Sequence, residues 1–349
     1  MTIRWQTIRE KLFATPLDTV ITLVILYLLW RGLIPLIEWT LIDATFSGTT
    51  RADCTATGAC WVFVKARFGQ FMYGLYPLSE RWRVDLAGSI LAISVALLCW
   101  KGLPYRRAFG VAAFIILPPL GVWLLSGGFG LRYVETREWG GLMLTVFISI
   151  YAGLIAIPLG ILLALGRKSE LPVIRMISII FIEFWRGVPI VAVIFLASIL
   201  LPLIMPTGVG VDRLARAVIG LGLVIAAYMA EAVRGGLQAV PEGQREAATA
   251  LGLGYWRSSS FIVLPQAIRI ALPAMTNEFI ALVKNTTLVL IVSILDLLGI
   301  AQAALADPSW VGMNKEAYAF AGIIYWLMCF ALSRVGLAME RARSKGERH

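Results

Sequence analysis

Only one histidine occurs in the 349 residues, and it is the last, His349. A chain with no internal imidazole lacks the usual general base and the commonest metal ligand, so Ser/His hydrolases, zinc proteases and haem carriers drop out. Charge is scarce too: 15% of residues are charged, against about 25% in an ordinary soluble domain. Four cysteines are too few for a disulfide scaffold, and 12 Trp, 16 Phe and 10 Tyr do not suit a disordered chain. No GxxxxGK[ST] loop is present to cradle phosphates. What is abundant is apolar surface, with 59% hydrophobic residues and a mean hydropathy of +0.81. A water-soluble globule cannot cover that much, and the composition points to an all-α polytopic membrane protein.

A membrane helix takes about 20 apolar residues. Eight stretches qualify, near 18–37, 84–100, 108–126, 141–165, 188–205, 214–238, 274–296 and 317–338. A further helix over 173–187 is expected to lie at the membrane surface or to lead into the fifth span. The first span follows Arg4, Arg9 and Lys11, but Glu38-Trp39 stands where a leader would carry small cleavage-site residues, so it reads as a retained anchor. Positive charge sets orientation. With the N-terminus inside, Lys101, Arg106, Arg107, Arg167, Lys168, Arg245, Arg257, Arg269 and the tail residues Arg341, Arg343, Lys345 and Arg348 are expected in the cytoplasm, as are both termini. The loop 43–83 falls outside although it is basic, which a long loop tolerates.

The net charge of +10 is spread over loops rather than gathered in a stripe, so it signals orientation and attraction to membrane lipid, not nucleic-acid binding. Cys54 and Cys60 lie in the outer loop, where they are either bridged or two free thiols. No residue set suggests a metal site. The chain changes character near residue 127: three spans and the cysteine-bearing loop over 1–126, then a main domain over 138–340 that holds nearly all the notable polar residues.

The loop 240–269, VPEGQREAATALGLGYWRSSSFIVLPQAIR, is the most informative stretch. Pro241 suits a helix start and Gly252 a helix stop. The helix between them has barely three turns, too few to stand alone in water, so a partner surface must hold it. Helical spacing puts Ala247, Ala248 and Leu251 on one face with Glu246 at its edge. A second helix from Tyr255 is expected to be cut at Pro265.

Charged residues in spans are costly and should face protein or water. Glu183 and Arg186, and Glu231 and Arg234, are i,i+3 pairs near one end of their spans: either gate-closing ion pairs or interfacial anchors. Glu278, Lys284, Asn285, Thr286 and Thr287 could meet a zwitterion along a substrate path or serve helix-to-helix bonding. The stripe Ala152, Ala156, Gly160 and Ala164 reads as helix packing.

Glu246-Ala247-Ala248, then Gly252, then Ile262, Leu264 and Pro265 match every fixed position of the EAA motif of bacterial ABC importer permeases. The chain resembles the polar, or general L-amino-acid, branch of that family, also through IEFWRGVPI from Ile182 and VLPQAIRIALPAMTNEFIALVKNTTL from Val263. The resemblance covers about 138–340. Its one departure is Val188, where many members carry threonine. It implies a MetI-like type I importer core of five helices preceded by three extra helices, with Glu246, Ala247, Ala248, Leu251, Gly252, Ile262, Leu264 and Pro265 coupling to a separate cytoplasmic ATPase dimer. It also implies a second, related permease subunit, a periplasmic amino-acid-binding protein and an L-amino-acid substrate. ATP and Mg would sit on the ATPase; this chain would bind no cofactor and have no catalytic site. The competing reading is an ATP-independent carrier or channel, against which stands the absence of an inverted repeat.

Overall fold

The computed structural model describes residues 11–55, 57–100, 102–204, 206 and 210–346. Arg4, Arg9, Lys101, Arg348 and His349 lie outside the described residues, and the side chains of Arg107, Arg341, Arg343 and Lys345 are not described. Among the described residues there are helices and isolated bridges but no β-strand.

Helices α1 (Pro16–Ile37), α2 (Trp61–Tyr73), α3 (Arg81–Cys99) and α4 (Arg106–Ser126) come first, followed by α5 (Gly141–Arg167), α6 (Pro172–Gly187) and α7 (Ile190–Phe195). Then come α8 (Arg213–Ala239), α9 (Gly243–Ala250), α10 (Leu264–Asn285), α11 (Leu297–Leu305) and α12 (Asn314–Gly346). Among the described residues seven helices are long and apolar enough to cross a membrane, and the bent pair Pro172–Gly187 and Ile190–Ile204 makes an eighth candidate. The bend is 102° and falls at Val188-Pro189, where proline denies the preceding residue a helical backbone.

The structure corrects two expectations. The helix that carries the seventh span does not begin at 274: a nearly continuous helical stretch runs over Tyr255–Val292. Nor does Pro265 cut the second loop helix. It sits in the first turn of α10, where its missing N–H costs little, and the π-type turn Ser259–Val263 just before it passes the chain through without a break. The turning point lies earlier, at Gly252 and Gly254.

Contacts divide the chain into two compact units, Met1–Phe68 with Ala304–Ala319, and Gly69–Ala303 with Phe320–His349. In the first, Thr15 and Asp18 form a capping box that starts α1. The segment after α1 carries a disulfide between Cys54 and Cys60, whose Cα atoms are 5.5 Å apart. The Cys60 amide donates to Glu316 at 3.0 Å, and Arg67 pairs with Asp307.

In the second unit α8 is the central helix, buried along most of its length against α5, α10, α6 and α7. Small residues make this possible. Ala152, Ala156, Gly160 and Ala164 are all buried on α5, and a Cβ on Gly160 would press on Met229 and the Ala226 carbonyl of α8. On the other side, a Cβ on Gly236 would press on the Ala267 carbonyl of α10. Backbones approach closely where lipid gives no hydrophobic drive to hold helices together.

Candidate functional site

The loop from Pro241 to Gly254 is built from local backbone chemistry. The Arg245 amide donates to the Glu242 carbonyl at 2.8 Å, opening α9. At its far end the Gly252 amide donates to Thr249 at 2.9 Å and the Leu253 amide to Ala248 at 3.0 Å. This is a Schellman closure, and it requires the left-handed backbone that Gly252 adopts at φ +71°. One side of α9 is held by its own chain: Ala248 is fully buried, and the Gln266 side chain donates to the Gln244 side chain at 3.1 Å.

Ala247, Ala248 and Leu251 were expected together on one face, but the helix divides them. Ala248 turns inward, while Ala247 and Leu251 stand exposed with Glu246. Beyond them Trp256 and Phe261 are uncovered, at 72% and 77% exposure, with Leu251 at 78%. Ile262 and Leu264 are half-buried and Pro265 exposed. Three large apolar side chains bare to solvent at one tip mark an interaction surface.

Earlier in the chain, the ends of α5, α6 and α8 bring five ionic groups together. Arg167 donates to Glu183 at 3.0 Å and to Glu231 at 2.7 Å. Arg234 pairs with Glu231 at 2.7 Å and donates to Gln238 at 2.9 Å. Arg186 lies 4.0 Å from both Glu183 and Glu231, and its guanidinium stands over the Tyr228 ring at 5.7 Å. The two i,i+3 pairs are therefore one cluster. Its hub is Arg167, which the sequence offered only as an orientation charge; its position at the last turn of an apolar helix was the available signal.

Lys168, beside the hub, donates to the Leu237 carbonyl at 3.3 Å. Burial pushes its pKa down, and Arg245 of the loop adds to that, while Glu242 opposes it. The charged form is thus disfavoured by folding at neutral pH, and the penalty is relieved as pH rises from the depressed folded pKa to the ordinary value of 10.5. In lipid-free detergent, Lys168→Met is expected to raise the apparent Tm slightly at pH 7, with the gain shrinking as the pH rises through the depressed folded pKa and gone past the unfolded pKa of about 10.4. A pH series of thermal scans checks it.

The polar residues around the seventh span separate. Lys284 is exposed; Glu278, Asn285 and Thr287 are half-buried, and the Thr287 hydroxyl donates to the Lys284 carbonyl at 2.9 Å. Thr286 is enclosed by its neighbours. It is fully buried, donates to the Val283 carbonyl at 2.9 Å and lies 3.3 Å from the Tyr325 hydroxyl. Tyr325 donates to Asp296 at 2.6 Å, and Asp296 caps α11 by accepting from the Gly299 amide at 3.0 Å. Thr145 of α5 accepts from the Leu297 amide at 3.0 Å. This node ties the starts of α5 and α11 to α12, and it rests on residues that no short motif brings together.

Comparison with known proteins gives these arrangements a family. A model described as "Binding-protein-dependent transport system inner membrane component" matches residues 156–345. The chain belongs to that family. An Escherichia coli inner membrane amino-acid ABC transporter permease protein, YhdY, is 48% identical over 340 residues, covering 97% of this chain and 93% of the relative. The Rhodobacter capsulatus glutamate/glutamine/aspartate/asparagine transport system permease protein BztC is 34% identical, covering 99% of this chain and 94% of its own length. Among solved structures, an amino acid ABC transporter with histidines superposes with a TM-score of 0.52 at 29% identity, covering 58% of this chain and 92% of that one. The seven apolar helices are those of a multi-pass inner-membrane protein with a MetI-like permease core, and the family model leaves the first helices outside it.

Proposed function

We propose that the chain is the permease subunit of an ATP-driven importer of L-amino acids, and that α9 with the turn at Gly252 docks on a separate ATPase dimer. One observation carries this reading: α9 is clamped to its own span through Ala248 and Gln244, yet Leu251 at its end and Trp256 and Phe261 just after the turn are left bare. A surface that is rigidly mounted and uncovered suits a partner that pushes. The names of the full-length relatives supply the substrate class.

In this reading both termini and the 240–269 loop are cytoplasmic, with Cys54 and Cys60 on the periplasmic side. ATP and Mg bind the ATPase, and this chain has no catalytic site. A second, related permease completes the pathway, and a periplasmic binding protein delivers the amino acid. The coupling set is Glu246, Ala247, Leu251 and Gly252 at the tip, with Ala248, Ile262, Leu264 and Pro265 beneath it. The Arg167-centred cluster, with Arg186, Glu231 and Arg234, forms the inner gate; Glu278, Lys284, Asn285, Thr286 and Thr287 are candidates for the path.

The test is Leu251→Cys in a background with Cys99 and Cys329 changed to serine. It should cross-link to the ATPase subunit in the assembled transporter and react with an impermeant thiol reagent in inverted vesicles only. Labelling from outside intact cells, or no cross-link to the ATPase at any position of the tip, overturns the reading.

A further inference from the structure

The ends of α5, α6 and α8 enclose a cleft of about 310 Å³, lined by Arg167, Lys168, Arg175, Ile179, Arg234 and Gln238 among others. Four of these are cations. Arg167 pairs with Glu183 and Glu231, Arg234 pairs with Glu231, and Arg234 also bonds Gln238. Lys168 and Arg175 have no carboxylate within ion-pair distance among the described residues. The cleft thus holds more positive charge than its acids balance. Folding gathered that charge against its own repulsion, and a counter-anion would relieve it.

One wall of the cleft is α6, whose outer side is apolar and bare: Val173, Met176, Ile177 and Ile180 are all exposed. The helix leaves the following segment at 102°, as a helix lying in a bilayer interface would. A basic cleft opening beside an uncovered apolar helix matches an amphiphile with an anionic head. A free anion would leave the apolar side unexplained.

We propose that this cleft holds the phosphate of an anionic phospholipid, with Lys168 and Arg175 as its free cationic contacts and the acyl chains laid along α6. The site lies in the membrane leaflet facing the α9 loop, which the proposed topology makes the inner one. Basic pockets between helices on that side are suited to anionic headgroups. Because the binding test below needs neither uptake nor ATPase, it can fail while the importer reading stands, and the reverse.

The full-length chain, purified in neutral detergent, is titrated with dioleoyl phosphatidylglycerol and with dioleoyl phosphatidylcholine, and bound lipid is counted by native mass spectrometry. Phosphatidylglycerol should bind in preference. Each basic contact removed should weaken it about fivefold, so that Lys168→Gln with Arg175→Gln loses roughly 25-fold. Arg106→Gln with Arg334→Gln, which removes two exposed cations elsewhere, should leave binding unchanged. Should the double variant fail to purify as a monodisperse species, the two single variants carry the same comparison. Equal binding of the two lipids overturns the proposal, as does undiminished binding by the Lys168 and Arg175 variants. Release of phosphatidylglycerol by millimolar inorganic phosphate would make this a free-anion site and also overturn it.

Discussion

Gly252→Val will cut ATP-driven uptake by the assembled transporter at least tenfold while the permease still accumulates in the membrane. The added Cβ would meet no heavy atom within 4 Å, so crowding plays no part in the effect. It comes from the backbone. Gly252 sits at φ +71°, a region that costs an ordinary L-residue roughly 1–2 kcal/mol and a β-branched one more. A change of about 1.4 kcal/mol is already a factor of ten in an equilibrium. The strain is relieved by opening the Gly252-to-Thr249 and Leu253-to-Ala248 bonds, which frees the end of α9 and misplaces Leu251. Gly252→Asn, which tolerates the left-handed region, should keep most of the activity. Uptake by reconstituted complexes at matched permease levels decides it. Wild-type transport by the valine variant would mean that the fixed shape of this loop is not what couples the two proteins.

Asp296→Ala should cost the permease more of its stability than any single change in the Arg167 cluster. Asp296 is fully buried, and its removal strands the Gly299 amide, which donates to it at 3.0 Å, and leaves the Tyr325 hydroxyl, which donates to it at 2.6 Å, only the longer 3.3 Å contact with Thr286. A buried donor left without a partner costs roughly 1–3 kcal/mol, so the two together amount to at most about 4 kcal/mol and an apparent Tm lowered by roughly 5 °C for a chain of this length. Asp296→Asn keeps an acceptor oxygen and should lose less than half of that. Arg167, in contrast, is about a quarter exposed and shares its acids with Arg186 and Arg234, so its removal leaves partners behind. Thermal scans of the detergent-solubilised chain separate these cases. A loss of only a degree or two in Asp296→Ala would show that the node is ornamental.

How much of this the sequence disclosed depends on how local each cause is. The start of α9 after Pro241 and its stop at Gly252 follow from one residue's missing N–H and another's missing Cβ, and both can be read from the string. The packing role of Ala152, Ala156, Gly160 and Ala164 was legible for the same reason, since a four-residue period puts small groups on one helix face. The division of Ala248 from Ala247 and Leu251 was not, because which edge of a short helix turns inward depends on where α10 lies. Pro265 misled because a proline normally breaks a helix, and only the neighbouring π-type turn removes the conflict. Arg167 and Asp296 escaped for a common reason: each acts at a junction of segments far apart in the chain. Arg167 meets Glu231 across 64 positions and Tyr325 meets Asp296 across 29.

The nearly continuous run Tyr255–Val292 has a consequence for timing. At a rise of 1.5 Å per residue it is roughly 55 Å long, so a tilt of only about 4° around its midpoint carries each end ~2 Å, the scale of helix shift on which switching proteins run. One end is the aromatic tip at Trp256; the other stops just short of the turn held by Asp296. Helical backbone joins them throughout, with one π-type turn near the tip and a 3-10 turn at the far end, so the two ends travel together and a signal arriving at the tip is carried toward the opposite face of the bilayer in the same stroke.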